Sequence, residues 1–181
     1  MLGVIQCICL RPFFRFHDNT NIKNQNVKWY GQYTSFKIEA GRDDVMNEEL
    51  IRSALGVLDN SYAPYSHFHV AAAVLTDTGN VYTGVNVENA SYPAGICAEC
   101  NAVAKAVSCG ERKIRAVAIV GRDSQGKSSG YVSPCGICRQ VLREFSVPQE
   151  LKVILAKDVG DYKETTLEEL LPASFGPESL G

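Results

Sequence analysis

At 181 residues, with 45% hydrophobic and 21% charged, the chain is long enough for one domain with a sizeable core and short for two. Its formal net charge of −2 argues against a surface built to hold a polyanion. No apolar run reaches the length of a membrane span, so a small ligand or a protein partner fits better than a nucleic-acid polymer or a membrane.

Residues 1–43 read differently from the rest. The apolar, aromatic MLGVIQCICLRPFFRF gives way to the Asn-rich HDNTNIKNQN, and before Glu39 the bases Arg11, Arg15, Lys23, Lys28 and Lys37 face Asp18 alone. The expectation is an N-terminal extension, poorly ordered or loosely packed, ahead of a domain over residues 44–181. A secretory signal is disfavoured, because no basic region precedes the apolar run and no small-residue cleavage site follows it. A mitochondrial transit peptide fits the scarcity of acids but not the scarcity of serine. Cys7 and Cys9 receive no chemical role.

From Asn47 the pattern tightens. Leu50, Ile51, Ala54, Leu55 and Leu58 recur at helical spacing, with Glu48, Glu49, Arg52 and Asp59 on the other face. Tyr62-Ala63-Pro64-Tyr65-Ser66 ends that helix. Phe68 to Leu75 is a near-continuous apolar run suited to a buried strand. Asp77-Thr78-Gly79-Asn80 is a turn, and Val81, Thr83, Val85 and Val87 alternate as a second strand. A loop over 89–95 leads to a helix over 97–107, a third strand over 114–120 and a flexible loop over 122–130. A helix over 135–145, a fourth strand over 152–156 and a short helix over 167–171 complete the order. Helix, hairpin, helix, strand, helix, strand, helix implies an α/β domain, one sheet with helices on its faces.

Seven cysteines do not make this a disulfide scaffold. Cys97 and Cys100, like Cys135 and Cys138, are two residues apart at predicted helix starts, which is metal-ligand or redox spacing in a chain too large to need staples. A reducing compartment, the cytoplasm, is the expectation. Cys109, beside Gly110 at a helix end, reads as a small buried hydrophobe.

Thiolates favour zinc. Four in two pairs would suit a closed structural site, although the pairs are further apart than in a compact zinc ribbon. Alternatively Cys97, Cys135 and Cys138 hold the metal and leave its fourth position to water. Three thiolates overcompensate a dication, and two helix amino ends aimed at the sulfurs offset part of that charge. Glu99, two residues after Cys97, could then exchange a proton with the water, whose pKa zinc lowers from about 15.7 to about 7.

Cys97-Ala98-Glu99 with Pro134-Cys135-Gly136-Ile137-Cys138 resembles the signature of the zinc-dependent nucleoside deaminases. A cysteine at position 97 is similar to the small homotetrameric cytidine deaminases, whose zinc has three thiolate ligands. The likeness runs from about Asn47 to about Phe175. It includes Tyr65-Ser66-His67-Phe68, Asn86-Val87-Glu88-Asn89-Ala90, Tyr92-Pro93 and the tail from Leu170 to Gly176.

The resemblance implies a cytidine deaminase-like fold, a three-layer α-β-α sandwich on a mixed sheet of about five strands. It implies one Zn2+ per subunit on Cys97, Cys135 and Cys138, with Glu99 as the catalytic acid and base. Asn86 and Glu88 would bond the ribose hydroxyls, and Phe68 would pack on the base. The Ala98 N–H would hold the ring carbonyl, and the Ser133 C=O would accept from the departing amino group. Tyr92 and Phe175 would reach a neighbouring subunit's site in a homotetramer with shared active sites. The implied reaction takes a free nucleoside, cytidine or deoxycytidine, to uridine or deoxyuridine plus ammonia, a step of pyrimidine salvage.

One position departs from the family. Where an arginine usually follows the glutamate and donates to the zinc thiolates, this chain has Cys100. The expectation is a neutral thiol near a zinc sulfur, with Arg139 a candidate for the missing positive charge. Three rivals remain beside the cytidine reading. They are deamination of a nucleoside antibiotic such as blasticidin S, deamination within polynucleotides, and a non-catalytic four-cysteine zinc protein with Cys100 as fourth ligand. The ribose motif and the Phe175 tail favour cytidine over the first, and the acidic balance weighs against the second. Retention of Glu99 weighs against the third.

Overall fold

The computed structural model describes residues 43–128 and 130–181. The predicted extension therefore lies outside the described residues, except for Asp43, which opens the first helix.

Helix α1 (Asp43–Leu55) has Asp43 and Asp44 in its first turn and Arg52 in its last, so its charges complement the helix dipole at both ends. Asn47, Leu50, Ile51 and Ala54 form its buried stripe. Strands β1 (Phe68–Thr76) and β2 (Val81–Val85) make an antiparallel hairpin. Its turn uses Gly79 at φ 82, a left-handed conformation that costs glycine little.

Helix α2 (Ala98–Ser108) precedes β3 (Ile114–Asp123), and helix α3 (Gly136–Glu144) precedes β4 (Lys152–Asp158). Strand β5 (Asp161–Thr166) runs into α4 (Leu167–Leu170), where Thr166 and Glu169 form a reciprocal capping box.

The sheet order is β2-β1-β3-β4-β5, with β3 and β4 parallel and the other pairs antiparallel. Alternation along β1 divides the core in two. Ala71, Ala73 and Leu75 face α1, where Leu50, Ile51 and Ala54 meet them, with Leu58 of the turn that follows. Ala72 and Val74 face the other way, toward Ala98, Ala102, Val103 and Ala106 of α2 and Leu142 of α3. This is the mixed five-stranded α-β-α sandwich that the resemblance implies.

Helices and inner strands fall within a few residues of their predicted bounds. Cys109, expected to be buried, is exposed just past the end of α2. Strand β5 differs too, since chain order alone yields four strands. Its sequence, DYKETT, has no apolar alternation, and it exists because an edge strand can pair with β4 while its side chains face water. Among the described residues, no helix is long and apolar enough to cross a membrane.

Candidate metal centre

Two helix starts build the site. Cys97 and Cys135 are the N-cap residues of α2 and α3, both with extended backbone, so each sulfur stands at the amino end of a helix. Cys135 Sγ accepts from the Cys138 N–H at 3.4 Å, which satisfies one of the free donors of α3. The three sulfurs of Cys97, Cys135 and Cys138 all lie within 4.8 Å of one another. Cys97 and Cys135 are 3.9 Å apart, and Cys135 and Cys138 are 3.4 Å apart.

Sulfurs bound tetrahedrally to one zinc at about 2.3 Å are separated by about 3.8 Å. The spacing and the donor type both fit that ion. Burial pushes the Cys97 thiol up to about 11 and the Cys138 thiol up in the same direction. Thiols raised in this way would be held as thiolates by a nearby cation. Cys100 is outside the three-sulfur set, although its Sγ is 3.6 Å from that of Cys138.

Glu99, in the first turn of α2, is 4% exposed. Burial raises its pKa against the opposing pull of its own N–H and of Cys138. The helix that carries it is set by Gly84 of β2. A Cβ at that position would stand 2.4 Å from the Ala102 nitrogen and 2.5 Å from the Ala98 carbonyl oxygen, so the strand touches the helix backbone directly. Ala98 is fully buried, and as the first residue of α2 its N–H has no intrahelical acceptor.

Main-chain pairing brings Asn86 and Glu88 to the same end of the sheet. The Tyr62 and Glu88 N–H groups donate to Asn86 O and Tyr62 O. Val87 and Ile96 exchange both of their bonds at 2.9 Å, one residue before Cys97. The Asn86 side chain is largely engaged within the chain. Its Oδ1 accepts from the Val70 N–H at 2.8 Å and from Ser61 Oγ, while Nδ2 donates to Phe68 O at 2.9 Å.

Glu88 Oε2 accepts from the N–H groups of Tyr65 and Ser66 at 2.9 and 3.2 Å. Bonds from Ser66 and from the Tyr65 backbone hold its carboxyl below the ordinary range. Phe68 is half-buried at the start of β1, beside Gly121 and Val132.

Arg139 braces the opposite wall. Its Nε donates to Pro134 O at 2.8 Å, Nη1 to Leu170 O at 2.7 Å and Nη2 to Ser133 Oγ at 3.3 Å. The guanidinium thus ties the loop of Ser133 to the C-terminal tail. Tyr92 is 80% exposed, in edge contact with Tyr65 at 6.3 Å between ring centroids. Phe175 is 60% exposed.

The sequence reading missed Ser61 and Gly84 as supports of these residues, and Gln140, which donates to Phe175 O. Nothing local marks them, because each acts across a contact that only the fold creates.

Helices on both faces of a mixed sheet, with three sulfurs at two helix starts beside a buried carboxylate, describe an α/β protein with a cluster that could hold a metal ion. Residues 45–154 match the family described as the cytidine and deoxycytidylate deaminase zinc-binding region. The chain is 44% identical to a cytidine deaminase of Sporosarcina psychrophila, over 74% of this chain and 93% of that one. It is 39% identical to a probable cytidine deaminase of Dictyostelium discoideum, over 75% and 90%. The crystal structure of cytidine deaminase from Burkholderia pseudomallei superposes with a TM-score of 0.63 at 42% identity, covering 70% of this chain and 97% of that one. This chain belongs to the cytidine and deoxycytidylate deaminase family.

Proposed function

We propose that residues 44–181 form a zinc-dependent hydrolase that deaminates cytidine and deoxycytidine to uridine and deoxyuridine with release of ammonia, serving pyrimidine salvage in a reducing, cytoplasmic setting. The observation that carries this reading is Glu99, a buried carboxylic acid two residues from Cys97 of the three-sulfur set. A structural zinc site would need no such group.

Zinc held by Cys97, Cys135 and Cys138 would supply a water acidic enough to give hydroxide near neutral pH. Glu99 would take a proton from the attacking water and pass it to the ring nitrogen beside the amino-bearing carbon, which makes that carbon electrophilic, and the water's oxygen would bond to it. It would then take the remaining proton of that oxygen and deliver it to the amino group, so that the carbonyl forms as the carbon–nitrogen bond breaks. Across the reaction one water enters, its oxygen stays on the carbon, and ammonia leaves. Burial raises the Glu99 pKa, which favours its holding a proton.

The Ala98 N–H holds the ring carbonyl, and the Ser133 C=O accepts from the departing amino group, its loop held by Arg139. Glu88 and the remaining N–H of Asn86 bond the ribose hydroxyls, and Phe68 packs against the base. Tyr92 and Phe175, both projecting from their own subunit, complete the sites of neighbours in a homotetramer. The test is loss of cytidine ultraviolet absorbance on incubation with zinc-loaded protein. Turnover supports the reading, and inactivity of protein carrying one zinc per chain would overturn it.

A further inference from the structure

Helix α3 carries two of the three sulfur ligands at its start, and farther along it grips the C-terminal tail. Arg143 is 6% exposed. Its Nε donates to Ser174 Oγ at 2.9 Å, its Nη1 to Ser146 O at 3.4 Å, and its Nη2 pairs with the Glu178 carboxylate. Gln140 Nε2 donates to Phe175 O at 3.0 Å.

Gly176 lies directly against the Arg143 guanidinium. A Cβ there would stand 2.2 Å from Cζ and Nη2 and 2.7 Å from Nη1. Its φ of −147° is ordinary extended backbone, so close approach and not conformation calls for glycine. The tail from Ser174 to Glu178 is thus bonded or packed to α3 at four residues, while the Phe175 side chain stays exposed.

We infer that Arg143 is a positioning residue, a latch that locks residues 174–178 onto α3 so that Phe175 is presented rigidly to an adjoining subunit's nucleoside site. This rests on the proposed role of Phe175 in a neighbour's site. A buried arginine needs partners to offset its desolvation, and here those partners lie in the short segment that carries the exposed ring. Arginine suits the task because its planar fork bonds Ser174 and Glu178 at once while its face receives Gly176.

The test compares F175A, G176A, R143K and E178Q, each as the full zinc-loaded chain, by steady-state cytidine kinetics, thermal midpoint and mass in solution. G176A and R143K should reproduce the F175A signature, a rise in KM of roughly three- to tenfold, the scale of one aromatic contact. The change in kcat should be smaller and the midpoint close to wild type. E178Q, at the exposed end of the ion pair, should move KM the same way by less. It keeps the test open if the other two fail to fold.

Hybrids assembled from G176A and E99Q chains should recover part of the wild-type KM, since sites with Glu99 then meet intact neighbouring tails. A purely local packing role would give no such recovery. If F175A raises KM while the latch variants do not, the latch is overturned and the reading of Phe175 stands. If F175A changes neither KM nor assembly, the reading of Phe175 falls and the latch with it.

Discussion

Cys100 Sγ is 3.6 Å from Cys138 Sγ, yet among the described residues the sulfurs that all lie within 4.8 Å of one another belong to Cys97, Cys135 and Cys138. Cys100 follows Cys97 by three residues on α2, so it shares a helix face without sharing the helix cap. Cys97, the cap residue, belongs to the three-sulfur cluster and Cys100 does not. Zinc measured per chain after dialysis should therefore stay near one in C100A and fall well below one in C97S, C135S and C138S. Loss of most of the zinc from C100A would make Cys100 a ligand.

Glu99 is the proposed proton carrier, and its loss separates chemistry from metal binding. E99Q keeps the volume and removes the proton exchange, so kcat for cytidine should fall by roughly 10²- to 10⁴-fold. Zinc content should not change, because the carboxylate is outside the sulfur set. A kcat within tenfold of wild type would remove Glu99 from the mechanism.

The legible parts of this fold were those with local signals. The helical stripe of α1, the apolar run of β1 and the Asp77–Asn80 turn follow from spacing and turn chemistry, and the two cysteine pairs mark their helix starts. Strand β5 was not legible from its own residues because pairing with β4, not burial of its side chains, creates it. Within the site, the three clustered cysteines and Glu99 stood out by residue type. Their supports did not, since Gly84 matters through contact with a helix backbone and Arg139 through joining the Pro134 carbonyl to that of Leu170, 31 residues beyond the arginine. Asn86 is the mixed case. Its type suggested a polar contact, but most of its bonding capacity fastens Ser61, Phe68 and Val70 together.

Gly84 links the sheet to the metal helix, so G84A should act on both stability and catalysis. A methyl group 2.4 Å from the Ala102 nitrogen must push α2 away from β2. Overpacking of this kind costs about 1–3 kcal/mol, and the displaced helix carries Ala98 and Glu99 with it. The thermal midpoint should fall and kcat should drop at saturating cytidine. G121A, whose nearest neighbours are the side chains of Val132 and Phe68, should instead act mainly on KM. Wild-type kcat in a well-folded G84A would sever the proposed link.

Far from the sulfurs, Glu111 gathers a buried polar cluster that should govern acid stability. Its Oε1 accepts from Thr78 Oγ1 and Asn80 Nδ2, each at 2.7 Å, and from Tyr82 Oη at 3.3 Å. Burial pushes the carboxyl up, but the bonds from Asn80, Thr78 and Tyr82 outweigh it and hold its pKa below the ordinary 4.5. Tyr82 is pushed up to about 12, by burial first and then by the Glu111 charge, and stays neutral over the acid range. A carboxyl whose pKa is lower folded than unfolded binds fewer protons in the native state between those two values. Its stabilisation is therefore full above about 4.5, the unfolded value, and is lost as pH falls through the lower folded one. E111Q should lower the thermal midpoint by several degrees at pH 7, and the gap to wild type should narrow steadily below pH 4.5. A gap constant from pH 7 to pH 3 would show that the Glu111 charge contributes nothing.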